Sequence, residues 1–123
     1  MSDLADLTIA AAGAGLRDGS FTAEELTAAV INRASITESH LHAYLTLDQD
    51  GARSAASLAD QAFAAGEDRG PLQGIPIALK DNMSTRGVET TAGSKILSGY
   101  VPPYDATVVT RLQARRAVVL GKT

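Results

Sequence analysis

The sequence predicts an α/β fold, with a helix-rich N-terminal region at residues 1–65 and the start of an α/β core at residues 66–123. In the first region, helix-capping residues precede apolar residues at helical spacing. A charged stretch containing glycine and proline, residues 66–71, then separates the two regions. A short strand, a helix and an apolar strand follow it, in the order typical of a parallel unit. We expect a single domain that the chain leaves incomplete.

Local signals define two helices before residue 40. Apolar residues at helical spacing over residues 4–16 predict the first helix, and Gly19 suits its C-cap. Thr22 and Glu25 have the spacing of a capping box, which predicts a second helix running to about Ile36.

A strand and a third helix complete the first region. Residues 43–47 are rich in β-prone side chains and predict a short strand. Asp48 or Asp50 can cap the alanine-rich segment that follows, which predicts a helix to about Ala65.

The second region predicts the parallel unit itself. Apolar residues alternate with others over residues 75–80, so this segment is a strand, and Pro76 must lie at a strand start, an edge or a bulge. Asp105 can cap a helix over residues 106–115, and residues 117–120 form a buried type of strand. The helix residues expected to face the core are Val108, Val109 and Leu112.

Composition excludes several classes of function. Lys and Arg total 11 against 14 Asp and Glu, so the chain lacks the basic surplus that binds nucleic acids or acidic membranes. Without cysteine it has no disulfide, thiolate metal site or cysteine nucleophile. His40 and His42 have no evident partner ligands, so we expect neither a metal site nor a cofactor. The absence of a basic segment before the first apolar stretch, and of a membrane-length apolar run, predicts a cytoplasmic protein.

Lys80 is the first candidate for chemistry. It ends the strand of residues 75–80 and precedes Asp81 and Asn82. Ligand sites in open α/β sheets gather at the carboxyl ends of strands, and a lysine shielded from water can serve as a general base. On spacing alone the opposite interpretation is stronger, because most lysines after strands are solvated and help to block edge pairing.

Two other motifs are weaker candidates. Ser94 lies in the segment TTAGSK, but a serine nucleophile needs a base and an oxyanion hole that the sequence does not place, so a polar turn is favoured. Gly121, Lys122 and Thr123 are similar to the end of a P-loop, G-x-x-x-x-G-K-[ST]. Arg116 occupies the position of its first glycine, which argues against a nucleotide site.

Four blocks in order resemble the amidase signature family. They are GPLQGIPIALKDN at 70–82, TTAGSKIL at 90–97, PPYDATVVTRL at 102–112 and AVVLGKT at 117–123. The last three look most like the A subunits of glutamyl-tRNA(Gln) and aspartyl-tRNA(Asn) amidotransferases. The resemblance implies that the chain holds the first strands and helices of the mixed sheet of that family, in truncated form.

The resemblance also implies a mechanism. In this family a serine attacks an amide carbonyl, and a second serine, in a cis peptide, links it to a lysine that Lys80 matches. Both serines lie beyond the point that matches Thr123, so we expect the chain to be inactive alone. Resemblance to the A subunits implies glutamine as the substrate of the full-length enzyme. It also implies the B and C subunits as partners, to which ammonia passes for amidation of the tRNA.

Alternatives and one departure from the family pattern complete the expectations. A non-enzymatic docking module, a decayed remnant and part of a general small-amide amidase all stay open. The apolar edge of an incomplete sheet predicts self-association. The family usually has glycine where this chain has Arg116, and an arginine in left-handed conformation costs about 1 kcal/mol. Either that turn differs or some stability is lost.

Overall fold

The computed structural model describes residues 3–123 as four α-helices and a three-stranded sheet. In chain order the elements are α1 (Ile9–Asp18), α2 (Ala23–Leu41), β1 (Thr46–Leu47), α3 (Gln49–Ala64), β2 (Pro76–Leu79), α4 (Thr107–Ala114) and β3 (Val118–Lys122). Single 3-10 turns occupy Leu4–Asp6 and Lys95–Leu97. The α/β class and the order of its elements are therefore as the sequence predicts.

The first helix begins later than its apolar spacing suggests. Thr8 is its N-cap, with the hydroxyl accepting a hydrogen bond from the backbone N–H of Ala11. Leu7 and Thr8 are extended, which separates the turn at Leu4–Asp6 from α1. The predicted C-cap is confirmed, since Gly19 has φ of 77° and ends the helix in left-handed conformation.

Capping also determines the ends of α2 and α3. The predicted capping box is present, with the Thr22 hydroxyl accepting from the Glu25 N–H and the Glu25 carboxylate accepting from the Thr22 N–H. The helix continues past the expected end at Ile36 to Leu41. Asp48, one of two predicted candidates, caps α3 by accepting from the Gly51 N–H.

The sheet has the order β1-β3-β2, with β1 antiparallel and β2 parallel to β3. Pro76 stands at the start of β2, an allowed position, because it has no N–H to donate inside the ladder. Helix α3 packs between β3 and α2 and presents small buried residues to both. The fully buried alanines of this layer are Ala52, Ala56 and Ala59. This packing joins the helix-rich region to the sheet around one core.

Two predictions about α4 are wrong. Its N-cap is Ala106, which provides no side-chain hydrogen bond. The Asp105 carboxylate instead accepts from the backbone N–H of Arg86 at 2.7 Å, so it ties α4 to the preceding loop. Of the predicted core residues Val109 is fully buried, but Val108 is 42% exposed. Only a narrow stripe of this short helix contacts the rest of the described chain.

Within residues 3–123, no helix is both long enough and apolar enough to cross a membrane. In this part of the chain β1 and β2 are the edge strands of the sheet. Self-association through such an edge stays a prediction.

Candidate active site at the strand ends

Lys80 lies directly after β2, where the carboxyl ends of β2 and β3 meet the following loops. Its side chain is exposed and lines a cleft of about 220 Å³. The other lining residues are Leu45, Asp81, Asn82, Ala92, Gly93 and Thr123. The predicted base therefore lies beside a cleft at the tips of the strands, where the chemistry of an open α/β sheet is normally found.

Hydrogen bonds fix the backbone on both sides of Lys80. The Thr123 N–H donates to the Leu79 carbonyl at 2.8 Å, and the Asp81 N–H donates to the Thr123 carbonyl at 2.8 Å. The Lys80 carbonyl accepts from the Met83 N–H at 3.0 Å. Across residues 3–123 the Lys80 amine itself has no hydrogen bond or ion pair. Its backbone is held, and its amine is available to a ligand.

Asp81 is buried beneath this backbone, with 2% of its surface exposed. One carboxylate oxygen, Oδ2, accepts from both the N–H and the hydroxyl of Thr91, the former at 2.9 Å. Burial acts to raise the pKa of Asp81, but the Thr91 hydrogen bonds and the charge of Lys122 outweigh it and lower that pKa. Asp81 is therefore a buried carboxylate held in its ionised form.

Lys122, at the end of β3, supplies the opposite charge and is fully buried. Its ammonium donates to the Met83 carbonyl at 2.7 Å and to the Thr90 hydroxyl at 2.9 Å. The Oδ1 atom of Asp81 lies 3.5 Å from it, an ion pair without a hydrogen bond. Burial lowers the pKa of Lys122, and the Asp81 carboxylate opposes this shift only in part.

This role of Lys122 is not among the sequence predictions, although its position on the strand carries a signal. Val118 and Leu120 are buried in β3, and Lys122 follows at the same two-residue spacing. Strand alternation therefore places it on the core side. Residues 118–122 form a strand, so the P-loop motif does not correspond to a phosphate-binding loop.

The polar cluster after residue 90 is a tight turn beside the cleft. The Ser94 N–H donates to the Thr91 carbonyl at 2.9 Å, and both central residues have positive φ, 52° at Ala92 and 71° at Gly93. These are the features of a type I′ turn. The Ser94 hydroxyl accepts from the Ile96 N–H at 3.3 Å and caps the 3-10 turn at Lys95–Leu97. Ser94 thus has the local role of a polar turn residue.

Neither histidine lines the cleft. His40 and His42 are exposed at the carboxyl end of α2, where His42 adopts left-handed conformation with φ of 48°. Among residues 3–123, no group of three histidine, aspartate or glutamate side chains is arranged to hold a metal ion.

The family model for Amidase matches residues 25–123. The A subunit of the glutamyl-tRNA(Gln) amidotransferase from Streptomyces coelicolor is 46% identical over 123 residues, which is all of this chain and 25% of that relative. The A subunit of the same enzyme from Chloroflexus aurantiacus is 51% identical over 122 residues, which is 99% of this chain and 25% of the relative. The matched part corresponds to the N-terminal region of those proteins.

Solved structures show the same architecture. The native peptide amidase from Stenotrophomonas maltophilia is 37% identical with a TM-score of 0.90, over 96% of this chain and 24% of the amidase. A fatty acid amide hydrolase is 25% identical with a TM-score of 0.89, over 98% of this chain and 21% of the hydrolase. The chain spans about a quarter of the length of the relatives it matches. By the extent of these matches, the chain belongs to the amidase family.

Proposed function

We propose that this chain is the lysine-bearing N-terminal part of an amide hydrolase, of the kind that supplies ammonia within a tRNA-dependent amidotransferase. The observation that carries the proposal is the position of Lys80, accessible at the strand tips and lining a cleft between fixed backbone segments. Identity of 46% and 51% to the A subunits of two such enzymes supports glutamine as the amide.

In the proposed reaction, Lys80 contributes a proton acceptor. Its neutral amine takes the proton of a bridging serine, which in turn takes that of a nucleophilic serine as the latter attacks the amide carbonyl. A C–O bond forms, the amide C–N bond breaks, and ammonia leaves with the proton returned through the same relay. Water then releases the carboxylic acid. The proposal places both serines on the remaining part of an amidase-family polypeptide.

The same proposal covers the partners and the state of the chain. The 123 residues form one incomplete domain and hydrolyse no amide alone, because loss of a nucleophilic serine removes on the order of a million-fold in rate. The B and C subunits of the amidotransferase are its partners in a cytoplasmic complex. The chain does not contact nucleic acid directly, which fits its net charge of -3.

Complementation tests this function. The 123-residue chain is co-expressed with the part of the Chloroflexus aurantiacus relative that follows its matched region, and ammonia release from glutamine is measured. We expect turnover from the pair, none from the chain alone, and loss of turnover with Lys80→Ala. Lys95→Ala is the matched control, because Lys95 is an exposed lysine that does not line the cleft.

Two results would contradict the proposal. Turnover that persists in Lys80→Ala removes the lysine from the mechanism, and turnover by the chain alone removes the need for the other segment. A peptide amide used in parallel separates the substrates, since the relative of known structure from Stenotrophomonas maltophilia is a peptide amidase. Preference for the peptide amide over glutamine would favour the general amidase.

A further inference from the structure

Lys122 is the only lysine within residues 3–123 that is fully buried. Moving an ammonium out of water is costly unless hydrogen bonds and an opposite charge compensate for the lost hydration. Here the Met83 carbonyl and the Thr90 hydroxyl accept at 2.7 and 2.9 Å, and the Asp81 carboxylate lies at 3.5 Å. The ammonium is thus held by two hydrogen bonds and one ion pair, from three separate groups.

All three groups lie on the segment that follows Lys80. Residues 81–94 contain no helix or strand, so the ladder and helix hydrogen bonds that fix other segments are missing there. The Lys122 ammonium connects both ends of this segment, from Asp81 and Met83 to Thr90, with the end of β3. Asp81 continues the connection to Thr91 through its second carboxylate oxygen.

The connection reaches Lys80 from two sides. Thr123, the next residue after Lys122, bonds the backbone at Leu79 and at Asp81. Lys122 itself holds the side chain of Asp81 and the carbonyl of Met83. The backbone of Lys80 therefore lies between contacts made by two consecutive residues of the chain.

We propose that Lys122 is a positioning residue, whose ammonium holds residues 81–94 against β3 and thereby sets the place of Lys80. This inference rests on the proposed role of Lys80 as base. Stability alone does not require an ion pair here, because well-packed apolar residues often replace a buried pair at no loss of stability. A buried polar network instead selects one geometry of the segment.

The test has two readouts on the Lys122→Met variant, which keeps the side-chain length and removes the charge. Amide NMR of the 123-residue chain reports the geometry of the segment directly. Glutamine hydrolysis by the complemented pair reports its effect on catalysis, with kcat counted per assembled pair. The double variant Lys122→Met/Asp81→Asn removes both charges together, and Lys95→Met is the control lysine.

We expect resonance changes concentrated in residues 80–94 and little change in α1 to α3. We expect kcat to fall by about 100-fold with KM within about twofold, because a displacement near 1 Å in an active site can cost that much. The double variant keeps the fold and does not recover kcat, and the Lys95→Met variant resembles the parent in both readouts.

Each contrary outcome is decisive. Unchanged resonances in residues 80–94, or parental kcat per assembled pair in either Lys122 variant, would overturn the proposal. If Lys122→Met does not fold, the double variant decides the question, and failure of both to fold would show a global structural role instead. If even the parent pair has no turnover, the proposed function fails, while the NMR result still decides whether Lys122 holds the segment.

Discussion

Arg116 occupies a backbone conformation that favours glycine, and changing it should stabilise the protein. The residue follows α4 with φ of 57°. Its N–H donates to the Gln113 carbonyl at 2.9 Å, and the Ala117 N–H donates to the Leu112 carbonyl at 3.2 Å. These two bonds form a Schellman motif, in which the left-handed position is usually glycine. The left-handed turn is thus retained at Arg116. Of the two alternatives drawn from the sequence, the one in which this turn differs is wrong.

The gain from Arg116→Gly follows from two opposing terms. Left-handed conformation costs a residue with a Cβ atom about 1–2 kcal/mol, which glycine avoids. Glycine also lowers the free energy of unfolding by about 0.4–1 kcal/mol, because it gives the unfolded chain more conformational freedom. The net gain in stability is about 1 kcal/mol. The substitution also removes the Arg116 Nε atom, which is buried without a hydrogen-bond partner in the described structure, and this adds a smaller gain. At this chain length the melting temperature should rise by about 4 °C.

Urea denaturation of three variants separates these terms. Arg116→Ala loses the guanidinium but keeps the Cβ. The free energy of unfolding of Arg116→Gly should therefore exceed that of Arg116→Ala by about 1 kcal/mol. Arg115→Gly is the positional control, because Arg115 has φ of -90° and glycine there should destabilise by roughly 0.5–1 kcal/mol. Equal stability of Arg116→Gly and Arg116→Ala would refute backbone strain as the cause.

Two further predictions concern the sheet and the surface. A Cβ added at Gly121 would overlap the backbone oxygen of Thr46, so Gly121→Ala should separate β1 from β3. We expect the free energy of unfolding to fall by about 1–3 kcal/mol, measured by urea titration. An unchanged urea midpoint would contradict this. Arg17 contacts Asp68 through two hydrogen bonds of 2.8 and 2.9 Å and, with the Gly70 N–H, lowers the pKa of Asp68 to about 2. Because the pKa of Asp68 is lower in the folded state, its ionised form stabilises the fold above pH 3.8, the unfolded value, and this effect is lost as the pH falls through about 2. The difference in free energy of unfolding between the parent and Asp68→Asn should therefore shrink across this pH window. A constant difference would show that the ion pair is not the cause.

The sequence predicts those features that depend on local chemistry. The capping box of Thr22 and Glu25, the Asp48 cap and the Gly19 C-cap each depend on residues within one helical turn, and all are present. Such signals do not require knowledge of the rest of the fold. The left-handed turn at Arg116 is not of this class, because arginine gives no local signal for that conformation and only the resemblance to the family points to it.

Features that depend on distant contacts are missed. Asp105 has the composition of an N-cap, but Arg86 presents a backbone N–H to it across the loop, and that contact prevails over capping. The strand at residues 43–47 shortens to Thr46–Leu47, because pairing with β3 reaches only Lys122 and Gly121. The Thr90 and Thr91 contacts of the buried pair have no sequence signal beyond an ordinary polar turn.

The two lysines at this edge of the sheet have different environments because strand residues alternate between faces. Leu79 is paired with Lys122 in the parallel ladder, and both are buried. Lys80, one residue further, is exposed beside the cleft. A base must reach its substrate, whereas an ammonium that fixes a loop must be enclosed by acceptors, so one position cannot meet both demands. A one-residue register shift of β2 would place Lys80 on the buried face that Leu79 now occupies. The hydrogen bonds of Thr123 to Leu79 and Asp81 therefore matter for the chemistry proposed at Lys80.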